Sequence, residues 1–240
     1  MAPRRELPYV TIGAVVPCVA GWALLPGRLL GATVLAEDPS TVPTFADVLD
    51  HRPAFAALAV GAPLAFPDEP VAGSRRAEQD AAEKMGWPRR LAIDPVPSRA
   101  ALHSESFEEA RRIEPWLTRL AYRRFRHYRE VEREIQLYHQ RSVFSCSAEL
   151  TFQMLNADEP LVSSRHTVEG DRERLALVEE RIPGISMTIT TARPRGVGFR
   201  QLVELAGLLW TARRISGRVL NRLPVDPEWT ELGLRMEYVR

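Results

Sequence analysis

"GAVVPCVAGW", Gly13–Trp22, is an uncharged apolar run that carries a proline and ends on a Gly-Trp pair. Preceded by "MAPRREL", it has the outline of a charged segment followed by a hydrophobic one, as in an export signal or a membrane span. The uncharged stretch around it also contains Pro8, Pro17 and Pro26. Prolines remove backbone donors and break helices, and a span needs an unbroken helix. A buried strand fits the run better, so "YVTIGAVV" is read as the first strand of a sheet and "PCVAG" as the turn that follows.

Outward from this strand, "WALLPGRLLGATVLAED" reads as a hairpin with its turn at Pro26-Gly27, and "TFADVLD" as a short helix capped by Thr44. "FAALAVGAPLAF" is a continuous apolar run, the pattern of a strand buried on both faces. "SRRAEQDAAEKMG" reads as a helix that stops at Gly86. From Phe107 to Tyr138, Ile113, Trp116, Leu117, Leu120, Tyr128, Val131, Ile135 and Tyr138 recur at helical spacing, and Pro115 divides the stretch. "RSVFSCSAE" is a further strand, "AELTFQML" a short helix, "TVEGDRERLALVEERIPG" a helix ended by Pro183 and Gly184, and "RQLVELAGLLWTARRISGRVL" an amphipathic helix. "LRMEYVR" is a last strand or an ordered tail. Alternating strands and helices imply one α/β domain over residues 1–240 with a mixed central sheet.

The chain has 240 residues, 45% of them hydrophobic and 26% charged, with a net charge of +1. That balance excludes a globally basic nucleic-acid binder and an acidic tail protein, while leaving room for a local basic face. All basic residues except Lys84 are arginine. Cys18 and Cys146 belong to no Cys/His cluster, so neither a zinc site nor a disulfide framework is expected, in keeping with a cytoplasmic protein. The run "RLAYRRFRHYREVERE" interleaves Arg119, Arg123, Arg126 and His127 with aromatics, a pattern that can hold single-stranded nucleic acid. Because Glu130, Glu132 and Glu134 follow at once, it is read as a salt-bridged helix face.

An ordered series of short blocks carries a family resemblance across residues 13–210. "AVVPCVAGW" keeps Cys18, Gly21 and Trp22 of a block reading G-V-D-x-C-R-x-G-W, and "AVGAPLAFPD" follows A-I-D-x-P-I-G-L-P-D. "AIDPVPSR", ending in Arg99, "SCSAELTF", "SRHTVEG" and "RQLVELAGLLWTA" occupy the places of later blocks. In this series the chain resembles the predicted-nuclease group of the ribonuclease-H-like superfamily, domain of unknown function four-two-nine. The resemblance implies a central mixed sheet flanked by helices, with carboxylates at adjacent strand ends and on a late helix that bind magnesium or manganese. Two such ions activate a water and stabilise the leaving oxygen in phosphodiester hydrolysis.

At the places where that chemistry resides, the chain departs from the pattern. Val16 and Gly61 stand where the first two blocks carry aspartate, Ser145 and Ser147 replace a glutamate and a histidine, and Arg200 and Gln201 replace a double aspartate. An aliphatic side chain offers a metal no contact. The expectation is a pseudoenzyme that acts in binding or assembly with no cofactor. The alternatives are an active magnesium- or manganese-dependent nuclease or phosphohydrolase with a relocated acidic site, built from Glu149, Glu204, Asp68 and Asp80 (Glu78 also lies nearby), or a structural interaction protein. Arg99 and Arg165 are the candidates for phosphate or nucleic-acid contact. For Glu149 and Glu204 the bland alternatives are a helix first-turn carboxylate and a polar residue on an amphipathic helix. No partner is named by the sequence, and no membrane association is expected.

Overall fold

A computed structural model describes residues 9–72 and 74–240. The N-terminal basic segment of the sequence reading lies outside the described residues. Strands β1 (Val10–Cys18), β2 (Gly21–Leu30), β3 (Thr33–Ala36), β4 (Ser40–Val42), β5 (Ala57–Val60) and β6 (Val143–Ser145) form a six-stranded mixed sheet. Its order is β3-β2-β1-β5-β6, with β4 also paired to β2. β1 runs antiparallel to β2 and parallel to β5, which is parallel to β6.

Both faces of β1 are buried, and its residues divide between two cores by the two-residue period of a strand. Ile12, Ala14, Val16 and Cys18 face one core, and Val15 faces the other. Gly13 lies against Phe55, where a Cβ would meet the ring at 2.6 Å. Gly13–Cys18 is therefore part of the central strand, which runs through Pro17 and Cys18 where the sequence predicts a turn; the turn is confined to Val19 and Ala20, and Gly21 and Trp22 open β2. No helix of the described residues is long and apolar enough to cross a membrane.

The hairpin turn is not at Pro26-Gly27. β2 runs through both residues, and the chain reverses at Gly31–Ala32. On its outer edge β2 pairs β4 as far as Leu24 and β3 from Gly27 onward, leaving Pro26 in the gap. Pro26 O accepts from Glu37 N at 2.9 Å in that gap. A strand residue's N–H and C=O point to the same side, so the missing N–H of Pro26 faces a place where no ladder bond is required.

Helices α1 (Phe45–Leu49), α2 (Arg76–Met85), α3 (Arg99–Leu102), α4 (Phe107–Ile113), α5 (Arg119–Tyr122) and α6 (Phe125–Glu134) precede β6. Thr44 caps α1 in a capping box with Asp47, and Gly86 ends α2 at a φ of 66°. The stretch divided at Pro115 is thus three short helices, and Leu120 and Tyr138 are off its buried stripe, 65% and 62% exposed. The long apolar run around β5 is strand over Ala57–Val60 only; its remainder is a buried loop that contains Pro63.

After β6 come α7 (Ala148–Leu155), α8 (Val168–Glu179), α9 (Ile185–Thr191) and α10 (Phe199–Ser216), then a separate hairpin of β7 (Arg222–Trp229) and β8 (Arg235–Val239). α10 is more buried than an amphipathic surface helix: Leu202, Leu205, Leu208, Leu209 and Ala212 are all 0% exposed. It lies across β1, β2 and β5 on one side and meets α7 on another. Gly207 permits that approach, since a Cβ there would meet Phe152 at 2.7 Å. Truncating a leucine in so tight a contact costs about 2–5 kcal/mol.

Candidate functional site

The C-terminal ends of the parallel strands β1, β5 and β6 open on one cleft of about 470 Å³. This is where open α/β sheets place their ligands. The opening arises because β5 leaves the ladder early: Gly61 N donates to Val15 O, and no ladder partner stands beside Pro17 on that side. Pro17 fits there because its missing N–H has no strand to reach. Gln201, in the first turn of α10, donates through Nε2 to Pro17 O at 2.7 Å and accepts from Gly198 N at 2.9 Å, which pins the helix to the strand end.

Val16, Gly61, Cys146 and Leu208 give the cleft an apolar floor. The first two are coupled by packing, because a Cβ on Gly61 would lie 2.8 Å from Val16 Cγ1 and 3.0 Å from Leu208. Burial raises the thiol pKa of both Cys18 and Cys146, so neither is a ready thiolate. Ser147 lines the cleft beside the start of α7, whereas Ser145 is buried and donates to Ala62 O at 3.0 Å.

Glu149 and Glu204 both reach this cleft in very different settings. Glu149 is buried, and Arg174 of α8 grips it in a two-pronged pair, Nε to Oε1 at 2.8 Å and Nη2 to Oε2 at 2.6 Å. Glu204 of α10 has no hydrogen-bond partner among the described residues. Burial pushes its carboxyl up to about 7, and the negative charge of Glu149 adds to this, while Arg165, Arg124 and Arg200 pull the other way.

Asp68, Asp80 and Arg99 do not line the cleft. Asp68 accepts from Arg99 Nη1 at 3.2 Å and from Glu231 N at 2.9 Å. Arg99 also pairs with Glu132 at 2.7 Å, so its role is to tie the loop after β5 to α6. Glu78 is held in a buried cluster with Arg75 and Ser74. Arg165 does reach the cleft, donating to Ala92 O at 3.2 Å. Among the described residues, no group of three or more His, Cys, Asp or Glu side chains is placed to hold a metal ion. A divalent pair of the kind the sequence resemblance implies does not fit the residues present: the ends of β1 and β5 offer no carboxylate, and both oxygens of Glu149 are engaged by Arg174.

At the α5–α6 junction the salt-bridged reading of the sequence does not hold, and Arg124 is a cleft residue that the sequence reading does not single out. Arg123, Arg124, Arg126 and His127 face the cleft, and the glutamates that follow them are engaged elsewhere. Glu130 accepts from Trp22 Nε1 at 2.8 Å and Phe45 N at 3.1 Å, Glu132 pairs with Arg99 and His103, and Glu134 pairs with Arg133. The salt-bridged helix face is therefore not what forms. Arg124 pairs instead with Asp94, and Arg126 donates to the carbonyls of Cys18 at 3.0 Å and Val19 at 3.2 Å. The available signal is the interleaving of cations with aromatics at positions 119 to 128, which the following acidic block outweighs in the sequence reading.

A family model described as "Protein of unknown function (DUF429)" matches residues 15–229. The chain belongs to this family. No curated protein and no solved structure matches the chain. The DUF429 match spans every strand of the main sheet except the first residues of β1, and all of the cleft residues named here except Tyr238 of β8 fall inside it. Tyr238 enters beside the buried Glu78 cluster, and burial raises its phenol pKa well above the ordinary range. Two residues on which the sequence resemblance rests have local structural roles. Thr167 accepts from Gly170 N at 3.1 Å and caps α8, and a Cβ on Gly170 would lie 1.9 Å from Ser164 O.

Proposed function

We propose that this DUF429 chain is a ribonuclease-H-like protein that has lost its metal-binding carboxylates and acts through binding at the strand-end cleft. The observation that carries this reading is the state of the cleft's acids: Val16 and Gly61 form its floor, and Glu149 is committed to Arg174. The superfamily assignment is supported by the sheet, in which the antiparallel arm β3-β2-β1 is continued by β5 and β6 parallel to β1. It is further supported by α10, whose first turns stand at the strand ends, where the resemblance places a carboxylate-bearing helix.

One observation favours a second reading, an active phosphohydrolase with a relocated site. Glu204 has a carboxyl pushed up to about 7, which suits a general base or acid at neutral pH. The binding reading predicts no cleavage of single- or double-stranded DNA or RNA with magnesium, manganese or a chelator. Cleavage that requires metal and is abolished by Glu204→Gln would overturn it. That result would establish the second reading in its metal-dependent form, and cleavage that persists in chelator but is lost in the same variant would establish a metal-free form of it.

A further inference from the structure

The charge balance of the cleft points to an anion. Of its acids, Asp94 is taken by Arg124 and Glu149 by Arg174. Arg123, Arg126 and Arg165 also reach the cleft, and among the described residues none of them meets a carboxylate within ion-pair distance. Only Glu204 is left to set against them, and it is half-buried on the opposite wall.

One further feature favours a negatively charged ligand, and a neighbouring histidine adds no charge of its own. α7 opens on the same space: Ser147, Ala148 and Glu149 line the cleft, and Ser147 supplies no side-chain cap to the first-turn amides. Uncapped amides at a helix start attract anions through their hydrogen-bond donors and the helix dipole. His127, 5% exposed on the cleft wall, places Nε2 3.1 Å from Cys18 O and 3.0 Å from Gly21 O. Both are acceptors, so Nε2 carries the proton. Burial and the charge of Arg126 lower the ring's pKa, which leaves Nδ1 a bare acceptor with no partner among the described residues.

The ligand's charge and size follow. A carboxylate would neutralise one guanidinium and leave the others repelling each other, whereas a dianionic phosphate can accept from several at once. A volume of about 470 Å³ is far larger than a phosphate needs and is within the range of small-ligand sites. Ala92, Ile93 and Val96 provide an apolar wall, and Val19 and Leu120 stand at the rim, 80% and 65% exposed. Such surface suits a flat, weakly polar body attached to the phosphate.

We propose that the cleft is a metal-independent site for a nucleoside phosphomonoester, its phosphate held by Arg123, Arg126, Arg165 and the start of α7, and its base laid against Val19, Leu120 and the apolar wall. The proposal rests on the reading that this site binds without a divalent ion, and arginines here carry the charge neutralisation that ions would otherwise supply. The nucleotide is free or is the phosphorylated end of a strand.

Calorimetric titration of the full chain in excess chelator tests it, with adenosine 5′-monophosphate, adenosine, inorganic phosphate, and a short oligonucleotide with and without a 5′-phosphate as probes. Saturable binding of the monophosphate or of the 5′-phosphorylated strand, with adenosine and the unphosphorylated strand silent, is the expected result, and the arm that binds identifies the source of the phosphate. Arg123→Ala and Arg165→Ala each weaken it about tenfold, the scale of one charge-assisted contact. Arg123 is exposed and makes no ion pair among the described residues, so its variant keeps the fold, which circular dichroism verifies. Arg99→Ala, outside the cleft, leaves affinity unchanged. No phosphomonoester binding in chelator, or binding untouched by Arg123→Ala and Arg165→Ala, overturns the proposal. Binding that appears only with manganese overturns both this proposal and the metal-free reading beneath it, whereas silence toward both manganese and phosphate overturns this proposal alone.

Discussion

Two walls of one cleft each carry a glutamate, and the two have opposite fates. On the α7 wall, Glu149 meets Arg174 in a fork-to-fork pair and is fixed as a structural charge. On the α10 wall, Glu204 meets no donor and is pushed toward its neutral form. Position alone therefore says little about what an acid does. A carboxylate whose two oxygens are filled by a buried guanidinium has little to offer a metal, and one that is desolvated without a donor favours a proton.

The largest effect should come from breaking the pair on the first wall. Arg174→Ala leaves Glu149 buried without its counter-charge and is expected to lower stability by about 3–5 kcal/mol in denaturant unfolding. A loss below about 1 kcal/mol would mean that the pair is solvated and Glu149 is free for other work. Next is Gly61→Asp, which places at a strand end the acid that the sequence resemblance expects there. The new Cβ would lie 2.8 Å from Val16 Cγ1, so crowding alone is expected to cost about 1–3 kcal/mol. Val16→Ala in the same chain should recover part of that loss, and failure to do so would show that the two positions are not coupled.

Glu204→Gln comes third and has the opposite sign. The folded carboxyl titrates at about 7 against an ordinary 4.5, so between those values the folded chain holds a proton that the unfolded chain has lost. Stability therefore falls as pH rises from 4.5 through 7 and is flat above, as far as this group is concerned. The glutamine variant lacks that fall and should gain roughly 1–3 kcal/mol on wild type at pH 8 compared with pH 4.5. Equal pH profiles for the two proteins would place Glu204 in contact with water or a cation. Arg123→Ala should change stability least, within about 0.5 kcal/mol, because its side chain is exposed and unpaired among the described residues.

The same contrast explains what could be read in advance. Features that depend on neighbours in sequence are legible: the first strand as far as Val16, the Thr44 cap, the end of α2 at Gly86 and the helix that fills Phe199–Ser216. Val16 and Gly61, which the sequence resemblance sets against aspartates, both lie at the cleft. Features set by distant partners are not legible. Pro26-Gly27 looks like a turn, but a gap between β3 and β4 accommodates the proline within a strand. Glu130 looks like a local partner for the arginines before it, yet it serves Trp22 and Phe45, far away in the chain. The burial of Glu204 is likewise a product of the packed walls, for which a single sequence carries no signal.

The central claim is that arginines, and not bound ions, provide the positive charge of this cleft. Calorimetric titration of manganese into the full chain at pH 8, where Glu204 is ionised and most able to act as a ligand, tests it most directly. The account predicts no saturable heat. Stoichiometric manganese binding that disappears in Glu204→Gln would contradict it.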